Sequence, residues 1–410
     1  MKKLRNFVLG ACVGLTALSL ASCKKEETGT FDLTVWGPTE QTAILKKLVG
    51  DFKTANETEN LKFNIEVGVV SEADAYAQLQ KDVTTGADVF AFPNDQLANL
   101  IRIGALSKLG GSNLDSVKSI NGEGAVNAGK SGNSYYAYPY AADNGYFLYY
   151  DKSVYSETDV LKLDTVLDKA KEKGKQVMID LDNSWYDAGF FFGAGCSYEV
   201  TYNDNAKEKS ITCDFDSAKG LIAGKAMIAV ANHEGFINGD DDILKSGIGT
   251  SIAAGVSGTW NAEAIKEKLG NNYAATKLPS FTVDGKDYQL SSFAGYKLMG
   301  VNPNSKSVKW ANALALYLTG EQAQAYRYEK TGTGPTNKVV AQSSAVKSNI
   351  ALAALAAQGA YAVAQTSVPS NYWDAVAAFG TEVVEKKVTE ANLQEKLTTM
   401  CNLIKTIKTE

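Results

Sequence analysis

Apolar positions along the chain switch between two periods, two and about 3.6, in a repeating order. FDLTVWG, from Phe31 to Gly37, reads as a β-run. From Thr39 to Ala55 the residues Ile44, Leu48, Phe52 and Ala55 recur on one helical face. LKFNIEVGVV alternates cleanly, with Leu61, Phe63, Ile65, Val67 and Val69 on one side. EADAYAQLQKDVTTG predicts a helix ending at Gly86, ADVFAFP a short apolar strand, and NDQLANLIRIG another helix. The strand–helix–strand–helix–strand order predicts an α/β domain with a largely parallel sheet.

The second half repeats the theme less regularly. KQVMIDLDNSWYDAGFFFG is a strand that opens into Asn183, Trp185 and Tyr186. GIGTSIAAGVSGTWN is a strand of small residues ending at Gly258 and Trp260. NAEAIKEKLG follows as a helix, with Asn261 as its cap and Gly270 as its terminator. SVPSNYWDAVAAFG puts Trp373 at a helix start, and the last helix carries Leu393, Leu397, Met400 and Ile404 on one face. Trp310 lies in an amphipathic helix and is expected in the core. No repeat of solenoid period and no low-complexity segment interrupts the chain.

The N-terminus changes the picture. Lys2, Lys3 and Arg5 precede a mostly apolar stretch from Phe7 to Leu20, the pattern of a secretory signal peptide, and too short to span a bilayer comfortably. Residues 1–22 are expected to be removed, leaving Cys23 and a polar tether over residues 23–30. That removal takes away three basic groups and no acidic one, so the net charge moves from −5 to −8. An acidic surface of this kind has no electrostatic footprint for nucleic acid or anionic lipid. The remaining length suggests two domains or more.

Cysteine and histidine usage narrows the chemistry. Between Cys196 and Cys213 two alternating runs flank a polar turn at Asp204–Asn205, a hairpin that would set these two cysteines opposite each other. Either a disulfide or two reduced thiols fits that placement. Cys401 is expected as a small apolar group on the last helix. With His233 as the single histidine there is no zinc cluster, no HExxH motif and no supporting motif for a Ser-His-Asp site. GDDDILKSG lacks the rest of a calcium loop, so one of Asp240 to Asp242 is expected to cap the next helix. No metal and no cofactor is expected.

In open α/β sheets ligands sit beyond the carboxyl ends of the strands. There the sequence sets an aromatic near a carboxylate three times: Trp36 with Glu40, Phe92 with Asp95, and Tyr140 with Asp143. Four of the five tryptophans, Trp36, Trp185, Trp260 and Trp373, lie at element ends beside Gly, Pro, Asn or Asp. Sugars offer a C–H face that stacks on an aromatic ring and hydroxyls that donate to carboxylates. Organic cations such as polyamines would use the same residues through cation–π contacts and ion pairs. Packing residues and helix caps would also explain each position singly.

LTVWGPTEQ, TTGADVFAFPNDQLANLIRIGAL, YAYPYAADNGYFLYYDKSVY, VSGTWNAEAIKEKLG and PSNYWDAVAAFG, in this order and spacing, resemble the extracellular solute-binding lipoproteins of ABC importers, of the maltodextrin-binding type. The resemblance runs over nearly the whole mature chain. It implies an α/β, two-lobed periplasmic-binding-protein-like fold, with mostly parallel sheets flanked by helices and a ligand cleft at the hinge. Residues 31–141 with 297–345 would form the N-terminal lobe, and 142–296 with 346–410 the C-terminal lobe. It places sugar hydroxyls on Glu40, Asp95 and Asp143 and stacking on Phe92, Trp185, Trp260 and Trp373, with Trp36 a further aromatic. LASC at Leu20 to Cys23 resembles a lipobox, which implies lipid attachment at Cys23.

The same resemblance implies a non-enzymatic monomer, anchored to the outer face of the cell membrane, that delivers an oligosaccharide to an ABC permease. The chain departs from the best-known maltodextrin binders at Gln41 and Gln96, where those carry a Lys and an Arg, and at Asp374, where they carry an aromatic. Two other readings use the same residues: a receptor for a polyamine or other cationic solute, and a secreted glycoside hydrolase built on two of Glu40, Asp95 and Asp143.

Overall fold

A computed structural model describes residues 28–202, 208–366 and 368–407. The expected signal peptide, Cys23, most of the tether and the hairpin turn at Asp204–Asn205 lie outside the described residues.

Two sheets organise the chain. In the first, the strands run in the order Ala362–Ala364, Ser292–Val301, Val89–Pro93, Gly29–Gly37, Leu61–Val69, and Ala137–Gly145 also pairs with Ser292–Val301. Gly29–Gly37 is parallel to both Leu61–Val69 and Val89–Pro93, as the alternation of strand and helix predicts. In the second sheet the order is Phe236–Asn238, Gln176–Ile179, Ile252–Ser257, Phe147–Asp151, Tyr273–Thr276. Here too the two parallel pairs join strands separated by helices. Antiparallel pairs appear where the chain passes from one sheet to the other. The molecule is a two-lobed α/β fold.

Three segments make that passage. Ala137–Gly145 lies in the first sheet, and only Tyr146 separates it from Phe147–Asp151 in the second. The long strand Ser292–Val301 begins in the second lobe's core with Phe293 and ends in the first lobe's core with Met299 and Val301. Ala362–Ala364 pairs parallel to the start of that strand, and the chain then enters the helix Ser370–Val384, whose Tyr372, Val376 and Phe379 pack in the second core.

The local patterns meet these sheets with small corrections. The helix Thr42–Asn56 buries Ile44, Leu45, Leu48, Val49 and Phe52, while Ala55 is exposed. Its buried stripe is broader than the expected face because the sheet covers two adjoining rows of side chains. Leu61 and Phe63 are buried on the second strand, but Val69, past the sheet's covering helices, is 56% exposed. The expected helix through Gly86 is shorter, Ala75–Lys81. Trp310 packs on Phe63 and Phe31 in the first core, with ring centroids 4.8 and 5.9 Å away. All four predicted residues of the last helix are buried.

The hairpin Tyr198–Tyr202 with Glu208–Cys213 forms, but its register sets Cys213 opposite Tyr198, not Cys196. Cys196 and Cys213 are free thiols, so the bridge between them is not made. Cys196 lies two residues before the position that pairs with Cys213, so the two are not directly opposed.

Candidate functional site

Three times the chain follows one local plan: a strand, a 3-10 turn of three residues, then a helix. The turns are Thr39–Gln41, Asn94–Gln96 and Thr259–Asn261, after the strands Gly29–Gly37, Val89–Pro93 and Ile252–Ser257. Pro38 and Pro93 enter the first two turns in extended conformation, their fixed φ ending the strand. Gly258 takes that place in the third, and there the reason is space. A Cβ on Gly258 would lie 2.0 Å from the Trp260 ring, which folds back over it. The middle residues of the three turns are Glu40, Asp95 and Trp260, and all three line one cleft between the lobes.

That cleft holds about 810 Å³. From the first lobe it is lined by Glu40, Glu72, Tyr76, Asp95 and Gln96, from the second by Trp185, Tyr186, Asp241, Lys245, Trp260 and Trp373, and from the crossing segments by Asn144, Lys297 and Gln365. Its floor and walls thus mix indoles with carboxylates and amides.

Trp185 and Trp260 stand together, with ring centroids 5.9 Å apart and planes 37° from parallel. Asn183 caps the helix Ser184–Gly193 by accepting from the Trp185 backbone N–H, which sets Trp185 in the first turn. Each indole is anchored. Trp185 Nε1 donates to Gln365 Oε1 at 2.9 Å, and Trp260 Nε1 donates to Asp241 Oδ2 at 2.7 Å. Asp241 also accepts from Ser257 Oγ. It is free to do so because Asp240 is the cap, accepting from the Asp242 and Ile243 backbone N–H groups.

Gln365 is the centre of a second network. Its Nε2 donates to Asp95 Oδ1 at 2.7 Å, and its Oε1 accepts from Asn144 as well as from Trp185. Asn94 donates to the Gln365 backbone carbonyl and accepts from Tyr296 N. One amide therefore ties a first-lobe turn, a crossing strand and a second-lobe helix together. Asp95 is 4% exposed, and burial pushes its carboxyl up to about 7.

On the opposite wall the Lys297 ammonium lies 5.3 Å above the Trp260 ring and 3.7 Å from Glu72 Oε2. Burial alone would lower its pKa, but Glu72, Asp143 and Glu40 outweigh that and hold it above the ordinary lysine value. Tyr140 donates its hydroxyl to Glu72, and the buried Arg327 guanidinium sits 4.9 Å from the Tyr140 ring. Arg327 also bonds Gln41 at 3.2 Å, so Gln41 turns inward while its neighbour Glu40 faces the cleft. Asp374 is exposed on its helix, away from the lining, and Gln96 bonds the Tyr76 N–H and the Ala73 carbonyl at the rim.

Five of the residues expected from the sequence therefore meet here: Glu40, Asp95, Trp185, Trp260 and Trp373. Three do not. Phe92 is fully buried against Phe90 in the first lobe, because it still lies within a strand covered on both faces. Trp36, also inside its strand, lies across Gly68 on the neighbouring strand. Asp143 is buried, accepting from Thr259 Oγ1 at 2.8 Å and from Gly334 N at 2.9 Å. It holds the turn that carries Trp260 rather than facing the cleft. Asn261, expected to cap its helix, donates to Ser257 Oγ instead. Lys297, Glu72, Asp241 and Gln365 carry no local signal of their role. Asp241 alone was visible, within the acidic run read as a cap.

The family described as "Bacterial extracellular solute-binding protein" matches residues 47–354. The chain belongs to that family. A galactooligosaccharide-binding protein of Bacillus subtilis (strain 168) is 27% identical over 397 residues, covering 90% of this chain and 88% of the relative. Among solved structures, one described as with acarbose is 33% identical, covers 92% of this chain and 99% of its own, and superposes with a TM-score of 0.81. A maltodextrin binding protein from L. casei BL23, solved without ligand, is 25% identical with a TM-score of 0.76, covering 93% of this chain and all of that one. The fold is that of a two-lobed solute-binding protein, and the homologues are binding proteins.

Proposed function

We propose that this solute-binding protein takes an oligosaccharide of the maltodextrin type in the interlobe cleft and delivers it to the permease of an ABC importer. The anchored Trp185–Trp260 pair carries this reading: two indoles, fixed at their N–H groups, line a cleft rimmed by carboxylates and amides. Pyranose rings stack on such faces while their hydroxyls donate to Glu40 and Asp95. Support also comes from relatives whose names record galactooligosaccharide, acarbose and maltodextrin.

A cationic solute fits less well. The cleft supplies its own cation, since Lys297 covers the Trp260 ring and balances Glu72. A hydrolase would need two carboxylates flanking a bond. Asp143 is engaged outside the cleft, and the relatives are named as binding proteins, which supports a receptor that returns its sugar intact. The chain then acts as a monomer held at the outer face of the membrane by a lipidated Cys23, where two acyl chains give stable anchoring. Calorimetry with maltotriose, galacto-oligosaccharides and spermidine tests the ligand class, and silence across the sugars would sink it. Membrane fractionation of Cys23→Ser tests the anchor, which is wrong if the variant still sediments with membranes.

A further inference from the structure

The three described cysteines gather at one place in the second lobe's core. Cys213 ends the hairpin and Cys401 lies in the last turn of the last helix, yet their sulfurs are 3.5 Å apart. The helix is held against this stretch on either side of the contact, by Gln394 Nε2 donating to the Asp216 carbonyl at 2.9 Å and by Lys405 3.9 Å from the Asp216 carboxylate. A disulfide needs sulfurs roughly 2 Å apart on backbones that lie close together, and two sulfurs already in contact need only a short further approach. Cys196 is placed differently, outside the paired register of the hairpin.

We propose that Cys213 and Cys401 form a disulfide when the chain meets a disulfide-class oxidant. A cysteine thiolate attacks one sulfur of the oxidant and expels the other as a thiolate. The second cysteine then displaces the attached sulfur. Two protons and two electrons leave the chain, and the oxidant's S–S bond becomes two thiols. Within this pair Cys213, slightly exposed at 6% where Cys401 is fully buried, is the sulfur an oxidant reaches first.

The bond would close a loop of roughly 190 residues and fix the base of the hairpin to the last helix. At its far end the hairpin carries Glu208, which receives both Nη1 contacts of Arg102, at 3.0 and 3.1 Å, from the first lobe. A covalent base would therefore stiffen an element that reaches across between the lobes.

The test uses the full chain, incubated with excess oxidised glutathione or with a reductant, unfolded, alkylated and digested without reduction. Peptide mapping is expected to recover the Cys213 and Cys401 peptides linked in the oxidised sample, with Cys196 alkylated, and the same link in Cys196→Ser. The oxidised chain is also expected to unfold at higher denaturant than the reduced one. A Cys196–Cys213 link, or Cys213 and Cys401 both alkylated after oxidation, would overturn the assignment.

Discussion

The indoles of Trp185 and Trp260 stand 5.9 Å apart, and each is fixed by its own hydrogen-bonded acceptor, Gln365 for one and Asp241 for the other. They come from different strand-to-helix junctions of the second lobe, and the acceptors come from a crossing segment and the first turn of a helix. A stacking platform is thereby held rigid before any ligand arrives, so little side-chain freedom remains to be lost on binding.

Removing either ring should expose this directly. Trp260→Ala and Trp185→Ala are each expected to weaken oligosaccharide binding by about 1–3 kcal/mol, the range for losing a central aromatic anchor. Titration calorimetry reads the loss, and normal affinity in both variants would show that the sugar sits elsewhere.

Gln365 holds Trp185, Asp95 and Asn144 at once. Gln365→Met keeps its length but leaves the Asp95 oxygen and the indole N–H unpartnered. The cost is expected at about 1–3 kcal/mol of folding stability, with ligand affinity falling in parallel as Trp185 loosens. Urea unfolding that matched the wild type would contradict its central place.

Burial raises the Asp95 carboxyl to about 7 in the folded chain, against an ordinary 3.8. Between those values the folded chain keeps a proton that the unfolded chain has lost. This site's contribution is therefore fully present at low pH, declines as pH rises towards 7, and is flat above it. Relative to Asp95→Asn, the wild type should lose about 2–3 kcal/mol between pH 5 and pH 8. A constant difference across that window would mean Asp95 is ionised throughout.

Arg102 and Glu208 join the first lobe to the hairpin of the second, and both are partly shielded, with side chains 25% and 13% exposed. Breaking the pair should loosen the contact between the lobes. A double-mutant cycle of Arg102→Ala and Glu208→Ala on ligand affinity is expected to give a coupling of about 1 kcal/mol, smaller in high salt. Additive effects would mean that the pair does not bear on closure.

Spacing along the chain was enough to read the α/β alternation, three of the four expected buried positions of the first helix, the face of the last, and the strand ends that border the cleft. These follow from the two backbone periods and from Pro and Gly punctuation, which are local properties. The resemblance extended this to two lobes and to Glu40, Asp95, Trp185, Trp260 and Trp373, which the structure gathers in one cleft. Local pattern failed where direction mattered. Phe92 and Trp36 stand only a few residues from Asp95 and Glu40, yet inside a covered strand a side chain meets the core, and only past the strand end does it meet the cleft.

The partners of the site were decided by tertiary structure alone. Gln365 reaches Asp95 across 270 positions and Trp185 across 180, and Lys297 comes to Trp260 from the middle of a crossing strand. The same holds for Cys213, which hairpin symmetry would have paired with Cys196 and which the packing of the last helix sets against Cys401. Sequence fixes which residues can bend, cap or stack, because those depend on neighbours along the chain. Which of them meet depends on how three crossing segments bring two separately folded sheets together, and no local period encodes that.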